Sequence, residues 1–121
     1  MIKLLTDYPE NILAFSATGE VTADDYKTIL IPAIEKSIEQ HGSVTLLYHI
    51  GSDFTGYTAG AMFNDAKVGL AHLSAWKKIA VVSDIGWIQN GVHLFGFVMP
   101  CPVKVFDNAQ LADAKEWIQA E

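Results

Sequence analysis

The residues of this chain that could do chemistry are few and scattered. His49, Ser52 and Asp53 fall within five positions and supply the types of a base, a nucleophile and an orienting acid. Such a set works only when tertiary geometry assembles it, and the same types are common in polar loops. No catalytic residue is therefore expected. His41, His49, His72 and His93 fall on four different predicted elements, and Cys101 is the only cysteine. Nothing in that spacing suits a metal, so no metal or cofactor is expected. His41 is accounted for as a favourable residue at a helix C-terminus. Cys101 lies between Pro100 and Pro102 with no basic neighbour in sequence to lower its pKa, which fits a structural thiol. No nucleophile elbow, P-loop or dinucleotide fingerprint is present. Lys77-Lys78, the only basic pair, is too small a cluster to dock on anionic lipid and is expected to be a solvated strand edge.

Two regions stand out from this background. The first is the stretch Gly51-Ser52-Asp53-Phe54-Thr55-Gly56-Tyr57-Thr58, predicted to be a loop between a central strand and a helix. In open α/β sheets, ligands gather beyond the carboxyl ends of the strands. Ser52, Thr55 and Thr58 could accept phosphate there, near a helix N-terminus, and a plain turn with Thr58 as N-cap is the equal alternative. The second is the helix predicted after Asp84. Trp87, Ile88, Gly91, Val92, Leu94, Phe95, Val98 and Met99 spread over about 160° of its circumference, with Phe97 outside that arc. One sheet contact needs less. Either the helix is deeply buried, or part of its face meets a second subunit, a partner or a lipid tail.

The elements that position these regions follow from patterning. Ile2–Leu5 and Ile12–Thr18, separated by Asp7-Tyr8-Pro9-Glu10-Asn11, form an N-terminal hairpin of strands. Thr22-Ala23-Asp24-Asp25 matches a capping box, and the helix it starts runs to His41-Gly42. Pro32 within it requires a kink or a restart with proline in the first turn. Val44–Ile50 and Ile79–Val82 read as central parallel strands, with a helix from Thr58 to Leu73 between them. A helix from Asp84 to about Phe97, a strand over Val103–Phe106 and a last helix capped by Asp107 or Asn108 complete the order. The expectation is one α/β domain over residues 1–121. It has a mixed five-stranded sheet, a hairpin followed by parallel crossovers, flanked by about four helices.

Composition excludes several function classes. With 121 residues, half of them apolar and 18% charged, the chain supports one ordinary core. Its charge is −6, and all eight basic residues are Lys. Nucleic acid is a poor partner for a negative chain with no Arg fork. Ile85 to Val103 carries no formal charge, but its glycines, Gln89, Asn90, His93 and closing prolines argue against a membrane span. One cysteine and no signal-peptide pattern fit a cytoplasmic protein.

The chain resembles the SpoIIAA-like proteins of the STAS superfamily, small bacterial domains related to anti-sigma-factor antagonists. Thr22-Ala23-Asp24-Asp25-Tyr26 with Pro32 and Phe54-Thr55-Gly56-Tyr57-Thr58-Ala59-Gly60 carry the resemblance. It continues through Asp65, Lys67, Gly69, His72-Leu73, Lys78-Ile79-Ala80-Val81-Val82, Asp84 and Trp87 to Phe106-Asp107 and Trp117. The resemblance implies a sheet flanked by helices, similar also to lipid-carrying CRAL-TRIO domains, and no established catalysis. Phosphorylatable antagonists of this superfamily carry an Asp-Ser-Ser-Gly-like stretch where this chain reads Gly51-Ser52-Asp53-Phe54-Thr55, so that motif is missing. Residues and resemblance together lead to a non-enzymatic binding or regulatory module. Its expected surface is Phe54, Tyr57, Trp87, Val92, Leu94, Phe95 and Phe97, and its partner a protein or a small apolar ligand. A homodimer through the apolar helix is one way to cover that face. The alternative is a switch controlled by phosphorylation at Ser52, Thr55 or Thr58.

Overall fold

The computed structural model describes residues 1–60, 67 and 73–120. Five strands form one sheet in the order β1-β2-β3-β4-β5: Ile2–Leu5, Ile12–Val21, Val44–Tyr57, Trp76–Val82 and Val103–Phe106. β1 pairs antiparallel with β2, and the other three pairings are parallel. This is the expected hairpin and crossover arrangement.

Among the described residues three helices of more than one turn flank the sheet: α1 (Ile31–His41), α2 (Gly86–Val98) and α3 (Leu111–Gln119). Alternation along the strands divides the core in two. Phe15, Ala17, Leu46, Tyr48, Ile79 and Val81 face Leu30 and Ile34, which lead into and lie on α1, and Ile88 of α2. Ala14, Leu47, Ala80, Val82 and Phe106 point the other way, toward Ala114 and Ile118 of α3. α1 and α2 therefore share one face. Two crossovers that move the same way across a sheet and lie on the same face have the same hand.

The entry to α1 shows how local chemistry sets the chain. Thr22 Oγ1 accepts from the Asp25 N–H (3.2 Å) while Asp25 Oδ2 accepts from the Thr22 N–H (2.9 Å), the predicted capping box. One turn over Ala23–Asp25 opens into a π turn over Tyr26–Leu30 before α1 begins, with Pro32 in its first turn. Proline lacks the N–H that would continue an α ladder, so the chain restarts there. Gly42 ends α1 with φ 73°, a left-handed conformation that suits glycine, and its N–H donates to the Ile38 carbonyl at 2.8 Å. At the other end of the chain Asp107 and Gln110 form a second capping box ahead of α3.

Two expectations change. β3 does not stop at Ile50 but runs to Tyr57, and β2 runs on to Val21, so residues 51–57 are strand and not loop. Glycines and polar residues suggested a turn. Instead the extension pairs through two register shifts, Gly19 opposite Phe54 and Glu20 opposite Gly56. Gly19 takes φ 57° at the irregularity, a conformation that a β-branched residue would resist. The second change concerns Lys78, which is not a solvated edge. Its Nζ donates to the carbonyls of Trp117 and, at 2.9 Å, Ala120, closing the C-terminus of α3. It also lies 4.3 Å from the Trp117 ring centroid. Of the helix expected over Thr58–Leu73, positions 59, 60 and 67 are helical, Thr58 lies outside the helix and Leu73 opens a 3₁₀ turn to Ala75; positions 61–66 and 68–72, His72 included, lie outside the described residues.

Candidate functional site

The extension of β3 carries the aromatic residues singled out in the sequence to the start of α2. Phe54 turns inward and is buried, while Ser52, Asp53 and Thr55 are exposed around it. Its ring meets the half-buried Tyr57 edge-on, with centroids 5.0 Å apart and planes at 62°. Tyr57 in turn meets Trp87 at 6.1 Å and 76°. Both geometries fall in the favoured T-shaped range for aromatic pairs. The two regions expected to act together are thus joined by a run of three rings.

Helix α2 divides into two stripes. Ile88 is buried, and Val92 and Phe95 are half-buried against the sheet-side core, where Met99 also packs just beyond the helix. Trp87, Leu94 and Phe97 are exposed, at 53%, 71% and 88% of their surface. At 100° per residue the centres of the two stripes lie roughly 140° apart. The broad apolar arc is therefore explained by packing on only one side. Val92 and Phe95 line the inner edge of the proposed surface, while Leu94 and Phe97 stand fully on its outside. Gly91 lies among the exposed positions, and the helix holds no Asp, Glu, Lys or Arg.

A polar cluster occupies the carboxyl ends of the parallel strands on the α3 side. Asn108 donates its backbone N–H to Asp84 Oδ1 (2.9 Å) and its side-chain amide to Asp84 Oδ2 (3.2 Å). That leaves Asn108 Oδ1 to accept from His49 Nε2 at 3.1 Å, which puts the imidazole proton on Nε2. Gln89 spans the same gap, donating to the Ser83 carbonyl (2.6 Å) and to Asp107 Oδ1 (3.0 Å). These bonds tie the turns after β4 and β5 together. His49 faces an amide oxygen that cannot relay its proton as a carboxylate or nucleophile would. Ser52 and Asp53 stay exposed on the β3 extension. Neither Asn108, a candidate cap in the sequence, nor Gln89 was expected to join a side-chain cluster with His49. His49 and Asn108 are 59 residues apart, and no local pattern links them.

The remaining candidates fall apart spatially. Among the described residues no group of three His, Cys, Asp or Glu side chains is placed to hold a metal. Cys101 is half-buried against the sheet-side core, and burial pushes its thiol pKa up. Thr58 is half-buried and donates its backbone N–H to the Val21 carbonyl at 2.9 Å, continuing the β2–β3 pairing. No described helix is long and apolar enough to cross a membrane.

A five-stranded mixed sheet with its helices placed in this way is the architecture of the small STAS-type domains. The family model for SpoIIAA-like proteins matches residues 12–119, and the chain belongs to that family. An uncharacterized protein of the DUF3478 family with a SpoIIAA-like fold, from Shewanella loihica PV-4, superposes with a TM-score of 0.75. It is 24% identical, over 97% of this chain and 93% of its own, and shows the same fold. No curated protein matches the sequence.

Proposed function

We propose that the protein is a non-enzymatic regulatory module that acts by protein contact or by holding a small apolar ligand. The working face comprises Tyr57, Trp87, Leu94 and Phe97, backed by the buried Phe54 ring, with Val92 and Phe95 along its inner edge. The observation that carries this reading is the exposed stripe of Trp87, Leu94 and Phe97 on an uncharged helix, continuous with the rings of Tyr57 and Phe54. A large exposed apolar patch is costly to keep in water and commonly marks a contact surface. Membership of a family of regulatory STAS-type domains supports the same reading. A single free thiol suits a cytoplasmic location.

Native mass spectrometry of protein purified gently from its own host tests the proposal, with Leu94→Asp and Phe97→Asp variants in parallel. Both side chains are exposed, so the variants should fold. A non-covalent mass or co-purifying chain, lost on denaturation and diminished in the variants, is the expected result. Unchanged ligand content and unchanged association in both folded variants would refute it. A second reading rests on Ser52 and Thr55, whose positions on the β3 extension are exposed and open to a kinase. It predicts a phosphate-sized increment that survives denaturation. It also predicts altered behaviour in the host of a variant with Ala at Ser52, Thr55 and Thr58.

A further inference from the structure

We propose that the Asn90-Gly91 junction of α2 is a site of spontaneous deamidation, opened by local unwinding of the helix, that turns its exposed neutral face anionic. It is the only Asn-Gly pair in the chain, and both residues are exposed. The step is intramolecular. The Gly91 backbone nitrogen loses its proton and bonds to Asn90 Cγ, and the side-chain amide group leaves with that proton as ammonia. Water then opens the resulting succinimide at one carbonyl or the other, giving aspartate or isoaspartate. Glycine is the following residue that resists this least, because no Cβ crowds the attacking nitrogen and its backbone turns freely.

An intact helix forbids the step. It commits the Gly91 N–H to the carbonyl four residues back and holds Asn90 in helical dihedrals that keep the nitrogen from reaching Cγ. Of the three described helices, however, α2 is the least secured. α1 is led in by the Thr22/Asp25 capping box and stopped by Gly42, and α3 has the Asp107/Gln110 box and Lys78 at its last carbonyls. α2 has no side-chain cap at Ile85, no acidic residue in its first turn and no basic residue in its last. Gly86, Gly91 and Gly96 each weaken it further relative to alanine. Gln89 pins the first turn through the Ser83 carbonyl and Asp107. The turns after Gly91 are held by the half-buried Val92 and Phe95, so opening starts at the C-terminal end and runs back to Gly91.

The position decides the consequence. Asn90 stands three residues after Trp87 and four before Leu94, so the three share one stripe of the helix surface. A carboxylate there is the first on a helix without Asp or Glu, set in the middle of exposed apolar side chains. An apolar partner or cargo would have to desolvate that charge with nothing to pair it, which is costly. Deamidation thus retires the face irreversibly, on a clock set by how often α2 opens. This consequence rests on the contact face proposed above; the deamidation itself does not.

Peptide-mapping mass spectrometry of the full chain, aged at mildly alkaline pH both in buffer and unfolded in urea, is the test. In urea Asn90 should convert ahead of Asn11, Asn64 and Asn108, none of which precedes glycine. In buffer it should convert more slowly, and still ahead of the others. Gly96→Ala, whose Cβ would meet Val103 at an ordinary 3.5 Å, should slow the native rate about five-fold and leave the rate in urea unchanged. Thr22→Ala weakens the start of α1 and not α2, so it should leave the native rate unchanged. Asn90 still intact in buffer once the urea sample has fully converted overturns the proposal. So does a native rate indifferent to Gly96→Ala. A native rate raised about five-fold by Thr22→Ala overturns it too, because the whole fold would then be what opens. Binding is read separately, by native mass spectrometry of Asn90→Asp beside Leu94→Asp, and both should lose partner or cargo. Loss with Leu94→Asp alone overturns the clock and leaves the contact face standing. Loss with neither overturns the face, while the deamidation stands on its own mass signature.

Discussion

The contact between Tyr57 and Trp87 should be measurable as a coupling energy. The structure predicts its size, because these rings are what tie the β3 extension to the exposed side of α2. At 6.1 Å between centroids and 76° between planes, an edge-to-face pair contributes about 0.5–1.5 kcal/mol beyond its buried area. Trp87 is 53% exposed, so roughly 100 Å² of its ring is buried, worth about 2.5 kcal/mol, of which leucine would keep around half. Trp87→Leu should therefore cost about 1–2 kcal/mol. Tyr57→Leu should cost about 2 kcal/mol, since Tyr57 also loses its contact with Phe54 at 5.0 Å. The double variant should fall short of the sum by about 1 kcal/mol, because the shared contact is lost only once. Urea unfolding followed by circular dichroism resolves this. With a slope near ~1.5 kcal/mol/M, each kcal/mol moves the midpoint by roughly 0.7 M. Costs that add to within about 0.3 kcal/mol would show that the rings are neighbours without being coupled. The surface would then be two patches and not one.

Other outcomes follow from single contacts. Thr22→Ala removes the acceptor for the Asp25 N–H and should cost about 1 kcal/mol by the same unfolding assay. For Asp25 itself, burial pulls the pKa upward, but the Thr22 N–H and hydroxyl and the N-terminal amine outweigh it and hold the carboxyl below its usual range. A carboxylate depressed in the folded state stabilises above its unfolded pKa near ~3.9, and that contribution is lost as pH falls through the folded value. Asp25→Asn should accordingly show a flatter stability curve below about pH 4 than wild type. Lys78→Met leaves two carbonyls at the end of α3 without their cation, and should cost about 1–2 kcal/mol. It should also speed amide exchange in the last turn of α3 more than elsewhere. Burial raises the Cys101 thiol pKa, so iodoacetamide should label it more slowly than a free thiol at pH 7.5, with the difference narrowing as the pH is raised.

Much of the architecture could be read from the sequence because short-range rules govern it. The capping box at Thr22/Asp25, the cap at Asp107, the restart at Pro32 and the glycine stop at Gly42 are each set by residues within a few positions. Alternation along Ile12–Thr18 likewise assigned the strand correctly, because one face meets α3 and the other α1. The far half of β3 was read as loop for a physical reason. Strand periodicity is a record of two faces with regular pairing, and register shifts opposite Gly19 and Glu20 erase it. The cluster of His49, Asn108 and Asp84 was missed for another reason. His49 lies within β3 while Asp84 and Asn108 follow the ends of β4 and β5, and nothing marks them as a group until the sheet brings His49 level with those ends.

Helix α2 shows where periodicity stops being informative. An apolar arc of about 160° states how much of a helix avoids water in some state of the protein, not in which state. The structure divides that arc. Ile88, Val92 and Phe95 cover the sheet, while Trp87 and Leu94 stand outside it. Phe97, outside the arc altogether, is the most exposed large apolar side chain among the described residues. A chain needing α2 only to seal its own core could place Lys or Glu at positions 94 and 97 at little cost and gain solubility. Keeping large apolar side chains there instead points to a surface made to be covered.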